Sequence, residues 1–401
     1  MRTVHVDRLA WLQRAVQSGT VHTVRASFAD RLGHWRGKRI PAEHFLAHTD
    51  QTVGFCDGML VCDVRCDVIE ETPYSNYSTG YPDINVRFDL AGLRPVGWMD
   101  GEAFVFGDPH DRDGRPSPVS PRHVLRRVLS RLDSQGIKAR VGLVLGGRFM
   151  QDPESSALIP VGGLDPGDDE VGALTRLGTG LLASEIPVVA IASGPEAGVF
   201  RLTLAADEPM ASAEAGVVAK GAAKEIARQA GVTASFMTMQ RGALDPSLLE
   251  LIVELDTSGT PHPTAGAIRH RLSQIRALLQ PSVNAFKSGA PPVPVIHTVD
   301  QGIRIGAMTA SCEADPFTVI ATVLAAIGVA MDSGDQRADD LYPAEAHNLT
   351  AAAEQLMGIG WAGDWLGPEF VANAVPLLSR EGGLLQSSVT DWEVNRYWNT
   401  A

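Results

Sequence analysis

Cysteine is scarce in this sequence, and long uninterrupted apolar segments are missing. Only four cysteines occur in 401 residues, at positions 56, 62, 66 and 312. That is too few, and too uneven a spacing, for a disulfide framework. No apolar run reaches the roughly 20 residues of a membrane span, and the N-terminus lacks the apolar core and cleavage site of a secretory signal. These absences predict a protein of the reduced cytoplasm with no membrane partner.

Positive charge is also in short supply. The chain has 34 Lys and Arg against 47 Asp and Glu, which gives a formal net charge of −13 and a pI near 5.3. Such a balance repels phosphate backbones, so nucleic acid is excluded as a partner. The glycine-rich signatures GxxxxGK[ST] and GxGxxG are absent, and so is a nucleophile elbow. The common phosphate cradles and serine-hydrolase motifs therefore do not apply.

A chain of this length is expected to form two or more domains, and its organisation changes near residue 110. Before that point, the short β-branched and apolar segments VRASFAD, GMLVCDV, INVRFDL and EAFVFGD predict the strands of a small sheet domain. The following loop is rich in Pro and Gly, and Ser120 with Pro121 predicts the start of a helix. We place the domains at residues 1–112 and 113–401.

Strand-like and helix-like segments alternate in the second part of the chain. KARVGLVLGG, PVVAIAS, VFRLTLAAD, LLELIVELD and GIRIGAM predict strands, whereas KGAAKEIARQAG predicts a helix ending at Gly231. The apolar stretch DPFTVIATVLAAIGVAMDSG has helical spacing and predicts a buried helix rather than a membrane span. The sequence as a whole predicts the α+β class.

Several segments occur in an order that resembles one known family. They are RASFADRLGHWRGKRIP, GYPDINVRFDL, SFMTMQ, EADPFTVIATVLAAIG and TDWEVNRYW. The series is similar to the landmarks of the glutamine synthetases and related γ-glutamylamide ligases, over nearly the whole chain. The resemblance implies an N-terminal β-grasp domain and a C-terminal α/β catalytic-type domain with a curved antiparallel sheet. It also implies a homo-oligomer, a hexameric ring or dodecamer.

That family binds two or three divalent cations between glutamate and ATP, and this sequence departs from it at the expected ligands. Val144 and Gly146 stand where the resemblance places two glutamates, and Arg201 stands at a third. A guanidinium beside a cation is unfavourable, because like charges at ~4 Å cost about 4 kcal/mol at an effective dielectric of roughly 20. Met239 replaces a lysine, and the shortened flap at 287–295 has no glutamate. We therefore predict no metal ligands and no cofactor.

Some polar residues expected near the active site are retained. Asp83 matches the aspartate that, in the family, helps to deprotonate the incoming ammonium across a subunit interface, although packing at the ring interface is the favoured reason for keeping this loop. Glu196 and Arg201 are the other predicted catalytic residues. The predicted substrate-binding residues are Tyr77, Tyr81, Glu250 and Arg304.

These observations lead to three hypotheses about function. The first is a repurposed enzyme that acts, without metal or ATP, on an amino-acid-derived or amine-bearing small molecule in the inter-subunit cavity. The second is a pseudoenzyme with a regulatory or structural role. The third is an ATP-dependent γ-glutamylamide ligase with a reorganised metal site built from Glu196, Glu250 and Glu254. A polar, open cavity at Arg201 would favour an enzyme, and a collapsed one the pseudoenzyme.

Overall fold

Two β-sheets and the helices packed around them make up the protein. A computed structural model describes residues 7–49, 52–150, 172–194, 196–240, 246–256, 262–289, 294–299, 302–334 and 346–398. The helices are α1 (Arg8–Gln17), α2 (Ala42–Ala47), α3 (Pro121–Ser134), α4 (Ala173–Ala183), α5 (Pro209–Gln229), α6 (Ala265–Gln274), α7 (Arg276–Leu279), α8 (Val283–Phe286), α9 (Pro316–Asp332), α10 (Leu349–Met357), α11 (Gly360–Leu366), α12 (Pro368–Ser387) and α13 (Asp391–Tyr397).

The first sheet is built by the N-terminal part of the chain. Its strands are β1 (Val21–Ala29), β2 (Trp35–Pro41), β3 (Val53–Cys56), β4 (Asp83–Phe88), β5 (Arg94–Pro95) and β6 (Gly101–His110). Their order is β2-β1-β6-β4-β3, with β5 also paired to β6. β1 and β6 run parallel, and the other pairs are antiparallel. β2 is therefore an edge strand.

One predicted strand, GMLVCDV, is not a strand in the structure. Its first residues form a short 3-10 helix, Asp57–Leu60, and the chain then turns. The carboxylate of Asp63 accepts the backbone N–H groups of Arg65 and Asp67 at 2.8 and 2.9 Å. An Asp that satisfies its own neighbouring N–H groups offers the backbone an alternative to a sheet ladder. Apolar content alone therefore led to a wrong prediction here.

The second sheet is formed by the strands that follow. They are β7 (Lys138–Met150), β8 (Val188–Ser193), β9 (Val199–Asp207), β10 (Thr233–Ser235), β11 (Leu248–Asp256), β12 (Val295–Val299) and β13 (Gly302–Ser311). The order is β12-β13-β11-β7-β9-β8, with β10 paired to β7, and every pair is antiparallel. Register shifts interrupt three of the pairings, and such bulges bend and twist a sheet. The predicted α+β class is confirmed.

Alternation along β11 shows which face of this sheet is the core. Leu249, Leu251 and Val253 are fully buried, whereas the glutamates between and beyond them, Glu250 and Glu254, lie on the other, more open face. Residues i and i+2 of a strand share a face. The open face is where the polar residues of β7, β9, β11 and β13 gather. The division at residues 112 and 113 stays a prediction, although the two sheets agree with it.

The apolar stretch near residue 320 forms the buried helix α9, as predicted. Fifteen of its 17 residues are buried. It starts at Pro316, and the side chain of Asp315 caps it by accepting the N–H of Thr318 at 2.7 Å. The start of α3 is also as predicted, at Pro121, but the hydroxyl of Ser120 makes no capping hydrogen bond. No helix among the described residues is long and apolar enough to cross a membrane.

Candidate functional site

A cavity of about 240 Å³ lies on the open face of the second sheet. Its lining comes from β7, β9, β11 and β13 and from the residues just before β11, and it includes Val144, Gly146, Arg201, Leu248, Glu250 and Thr309. Apolar side chains do not fill it. The cavity that a pseudoenzyme was expected to have lost is therefore present, with one guanidinium and one carboxylate in its wall.

The strand register explains why Arg201 and Glu250 meet at this cavity. Arg201 pairs with Gly146 of β7, and Glu250 pairs with Val144 of the same strand. Val144 and Gly146 are two residues apart, so their partners point to the same face. Two strand spacings across and one two-residue step along put the two Cα atoms about 12 Å apart on an idealised sheet. Two long side chains at that separation can bind opposite ends of one small molecule.

Small neighbours leave room for the Arg201 side chain. Its cross-strand partners are Gly146 on β7 and Ala192 on β8. Directly opposed side chains are the closest contacts on a sheet face, and here neither partner can cover the guanidinium. Arg201 is exposed and Glu250 is half-buried. The charged end of Arg201 is therefore available to an anionic ligand.

The described residues do not fit the cation sites of the resembling family. A Cβ at Gly146 would lie 3.1 Å from the backbone N and 3.2 Å from the backbone O of Leu248, which is tighter than most Cβ contacts, so a glutamate there would require this backbone to move slightly. Among the residues the structure describes, no group of three or more His, Cys, Asp or Glu is placed to hold a metal ion. Oε1 of Glu254 instead lies 4.0 Å from Nε of Arg304. The proposed metal set of Glu196, Glu250 and Glu254 is not assembled.

Glu196 lies in the protein interior and forms an ion pair. Its Oε2 is 3.2 Å from Nη1 of Arg148, and the side chains of both residues are only 2–3% exposed. Neither residue lines the cavity that contains Arg201. The pair joins the end of β7 to the turn before β9. Glu196 therefore holds this turn in place, whereas the sequence predicted a catalytic or clamping role.

Gly198, in the same turn, has a conformation that only glycine accommodates well. Its φ is +75°, and an added Cβ would lie 1.9 Å from the carbonyl oxygen of Phe149. We expect Gly198→Ala to lower the free energy of unfolding by about 2–4 kcal/mol, because backbone strain and a steric clash add up. Gly19 has the same sign of φ, +74°, with nothing within 4 Å, so Gly19→Ala should cost only about 1 kcal/mol. Equal losses in urea denaturation would contradict this explanation.

The predicted substrate loop lies elsewhere on the molecule. Asp83, at the start of β4, is exposed, and so is Tyr77, with 81% of its surface accessible. The ring centroids of Tyr77 and Tyr81 are 5.6 Å apart. The hydroxyl of Tyr81 donates to Glu70. None of these residues lines the Arg201 cavity of the same chain, and neither does Arg304. Of the seven predicted site residues, only Arg201 and Glu250 line this cavity.

Two polar residues that hold neighbouring segments together were missed in the sequence. The side chain of Asn284 accepts the N–H of Met239 and donates to its carbonyl, both at 2.8 Å. Glu313 accepts the N–H of Thr238 at 2.8 Å and the hydroxyl of Ser282. These contacts hold the segment containing SFMTMQ against the one containing PSVNAFK. The signal was available, because both segments had been matched to the same family, but neither side chain carries chemistry by itself.

The fold defines the class of protein. The structure superimposes on a solved GmaS–ADP complex with a TM-score of 0.79 and 19% identity, over 97% of this chain and 99% of that one. The chain has the glutamine synthetase fold, as predicted. No protein-family model matches the sequence.

Sequence relatives make the assignment more specific. The γ-glutamylethanolamide synthetase GlnA4 of Streptomyces coelicolor is 26% identical over 96% of this chain and 94% of its own length. The glutamate–methylamine ligase of Methyloversatilis universalis is 25% identical over 96% and 98%. The predicted relationship is confirmed: this chain is a homologue of the γ-glutamylamide ligases of the glutamine synthetase family. Loss of ligase chemistry stays a prediction, and these relatives favour the third hypothesis, an ATP-dependent ligase, over the first.

Proposed function

We propose that this protein is an ATP-dependent ligase that joins an amine to the side-chain carboxyl group of glutamate or a similar acidic amino acid. The observation that carries the proposal is the full-length relationship to enzymes named as γ-glutamylethanolamide synthetase and glutamate–methylamine ligase. The open cavity at Arg201 supports it, since a substrate can enter there. From the residues alone, we favoured chemistry without ATP.

The residues of the cavity suit the two ends of such a substrate. The Arg201 guanidinium offers paired N–H donors that match a carboxylate. Glu250, on the same face, can hold the ammonium group of the acid or accept a proton from the incoming amine. Amide formation from free acid and amine releases water and is uphill in water, so ATP is needed as the co-substrate that drives it. We assign no metal ligands, because the described residues do not fit them.

A homo-oligomer would complete this site. The loop with Tyr77, Tyr81 and Asp83 faces outward and does not line the cavity of its own chain. In a ring of subunits, the same loop could close the Arg201 cavity of the neighbouring copy, where Asp83 would act as a base toward the amine. We therefore propose that the active form is a hexameric ring or dodecamer. Exposed aromatic residues on α13 and beyond, Trp392 and Trp398, are further surface available for subunit contacts.

A ligation assay tests the proposed function. The full chain is incubated with glutamate, Mg²⁺ and ATP and with ammonia, methylamine, ethanolamine or isopropylamine, and products are identified by mass spectrometry. We expect a γ-glutamylamide and ADP in equal amounts with at least one amine, and no amide when ATP is omitted. ATP consumption that does not depend on an amine, or no amide with any of them, would count against the proposal.

The metal-free, ATP-free enzyme is the second candidate, and the environment of Gly146 and Arg201 favours it. Without ATP, an enzyme of this kind could catalyse only a reaction with a favourable free energy change. It would hydrolyse an existing amide or transfer the acyl group of that amide to another amine. Incubating γ-glutamylmethylamide with the protein in the absence of ATP distinguishes the two. Release of methylamine would support this second candidate, and inertness in both assays would leave the pseudoenzyme.

A further inference from the structure

A second cavity, of about 450 Å³, lies between the edge strand β2 and helix α5, and no strand of the second sheet lines it. It shares no lining residue with the Arg201 cavity. Seven Lys or Arg side chains line it, against one acidic side chain, that of Glu225. The whole chain has a net charge of −13. This cavity is therefore strongly positive in a protein that is acidic overall.

Three of these seven cations already have carboxylate partners, and one of them is Arg39, whose Nε lies 3.7 Å from Glu102. Arg25 contacts Glu102 and, at 2.7 Å, Glu225. Nε of Arg36 donates to the carboxylate of Asp30 at 2.8 Å, and Nη2 of Arg36 donates to Sγ of Cys66 at 2.8 Å. These contacts fix the floor of the cavity. These ion pairs do not neutralise all of the Lys and Arg side chains that line the cavity.

The cations of α5 are different, because no described carboxylate is within 4.0 Å of them. Lys220, Lys224 and Arg228 follow each other at intervals of four residues, so they form one row on the helix. Like charges at this spacing destabilise a helix. Lys220 is buried, with 6% of its surface exposed, and donates one hydrogen bond to the carbonyl of Ala314 at 3.1 Å. Its other N–H donors remain for a ligand.

The lysine pKa values are shifted in the direction expected for unpaired buried cations. Burial, with the nearby charge of Lys224 as a further contribution, lowers the pKa of Lys220 to about 8 although Asp315 and Asp30 oppose the shift. Burial lowers the pKa of Lys224 as well, against the opposing charge of Asp30 and with a contribution from Arg228. A bound anion would oppose both shifts, because it favours the charged forms. The net downward shifts show that the nearby carboxylates do not offset the burial of these two lysines.

Protection of a sheet edge is the simpler explanation for part of this charge. Lys and Arg on an edge strand discourage pairing with another chain, and β2 carries Arg36, Lys38 and Arg39. That explanation does not cover α5, which is no sheet edge. It also does not explain why a lysine is buried at the bottom of the cavity, since burying an unpaired charge is costly.

We propose that this cavity binds a small dianion, such as a phosphate ester or a dicarboxylate, through Lys220, Lys224 and Arg228 of α5 together with Arg36 of β2. The site is separate from the Arg201 cavity, so its ligand is not the substrate held by Arg201. Because β2 and α5 belong to different parts of the fold, the bound dianion bridges them.

Cysteine alkylation provides a direct test. Cys66 is exposed and lines this cavity, whereas Cys56 is exposed and does not line it. The full chain is alkylated in sodium phosphate, sodium succinate or sodium chloride at equal ionic strength, and labelling of each cysteine is measured by mass spectrometry. We expect phosphate or succinate, but not chloride, to slow labelling of Cys66 and to leave Cys56 unchanged. The anion that protects at the lower concentration identifies the ligand class.

Charge-removing variants locate the effect. Lys224→Gln should raise the concentration for half-protection at least about tenfold, since a hydrogen bond to a charged group is lost. Lys138→Gln, which removes an exposed charge at the start of β7, should change it less than about twofold. If Lys224→Gln does not fold, Arg228→Gln replaces it. Equal labelling of Cys66 in all three salts, or equal effects of the cavity and control variants, would overturn the proposal.

Discussion

Replacing Arg201 by methionine is expected to lower kcat/KM for the acidic substrate about 100- to 1,000-fold. Arg201 is the one cation among the described residues lining the Arg201 cavity, and loss of one charged donor at a reacting site typically costs this much. The side chain is exposed and its neighbours are Gly146 and Ala192, so stability should hardly change. Steady-state kinetics with varied glutamate, together with thermal unfolding, measure both quantities.

Arg201→Lys is the matched control for this variant. Lysine keeps the positive charge but loses the paired donors that fit a carboxylate, so its kcat/KM should fall between those of the wild type and Arg201→Met. The KM for the amine should stay the same in both variants. If Arg201→Met retained the wild-type KM for glutamate, Arg201 would not be the residue that holds the carboxylate.

Replacing Arg148 by methionine is expected to lower the free energy of unfolding by about 3–5 kcal/mol. The change removes the Arg148 guanidinium from beside the buried carboxylate of Glu196, and breaking a buried pair from one side has this cost. Arg148 and Glu196 are 3.2 Å apart and almost fully buried. Denaturation in guanidinium chloride, followed by tryptophan fluorescence, gives the free energy.

The double variant separates an unpaired charge from a general loss of packing. Removing both charges, in Arg148→Met with Glu196→Leu, should give a protein more stable than Arg148→Met, because neither buried charge of the pair is left behind. A double variant less stable than both single variants would mean that the two side chains act through shape rather than charge. It would also weaken our assignment of Glu196 to a structural role.

Burial pattern made much of the fold predictable. The alternation in β11 and the continuous apolar stretch of α9 report burial directly in the sequence, because a strand repeats every two residues and a fully buried helix has no polar face. The segment GMLVCDV was mispredicted, since the side-chain hydrogen bonds of Asp63 decide its path. Such local polar contacts leave little trace in hydrophobicity.

The site was less predictable, because its residues act through distant partners. Arg201 and Glu250 were identified by position in the resembling family, and the structure places both in one cavity. Glu196 looked equally promising in the sequence, but its partner Arg148 comes from another strand and was not considered. The outward position of Tyr77 and Asp83 could not be predicted from one chain, since their proposed role depends on a neighbouring copy.

The late position of α9 in the chain has a consequence for synthesis. Strands β7 to β13 are complete at residue 311, and helix α9, which belongs to the same apolar core, begins only at Pro316. While the ribosome makes the second sheet, α5 packs on β7, β9 and β10 but the α9 part of the core is missing, and exposed apolar surface is prone to aggregate. Nascent chains stalled before α9 should therefore depend on a holdase chaperone, and released chains that include α12 should not.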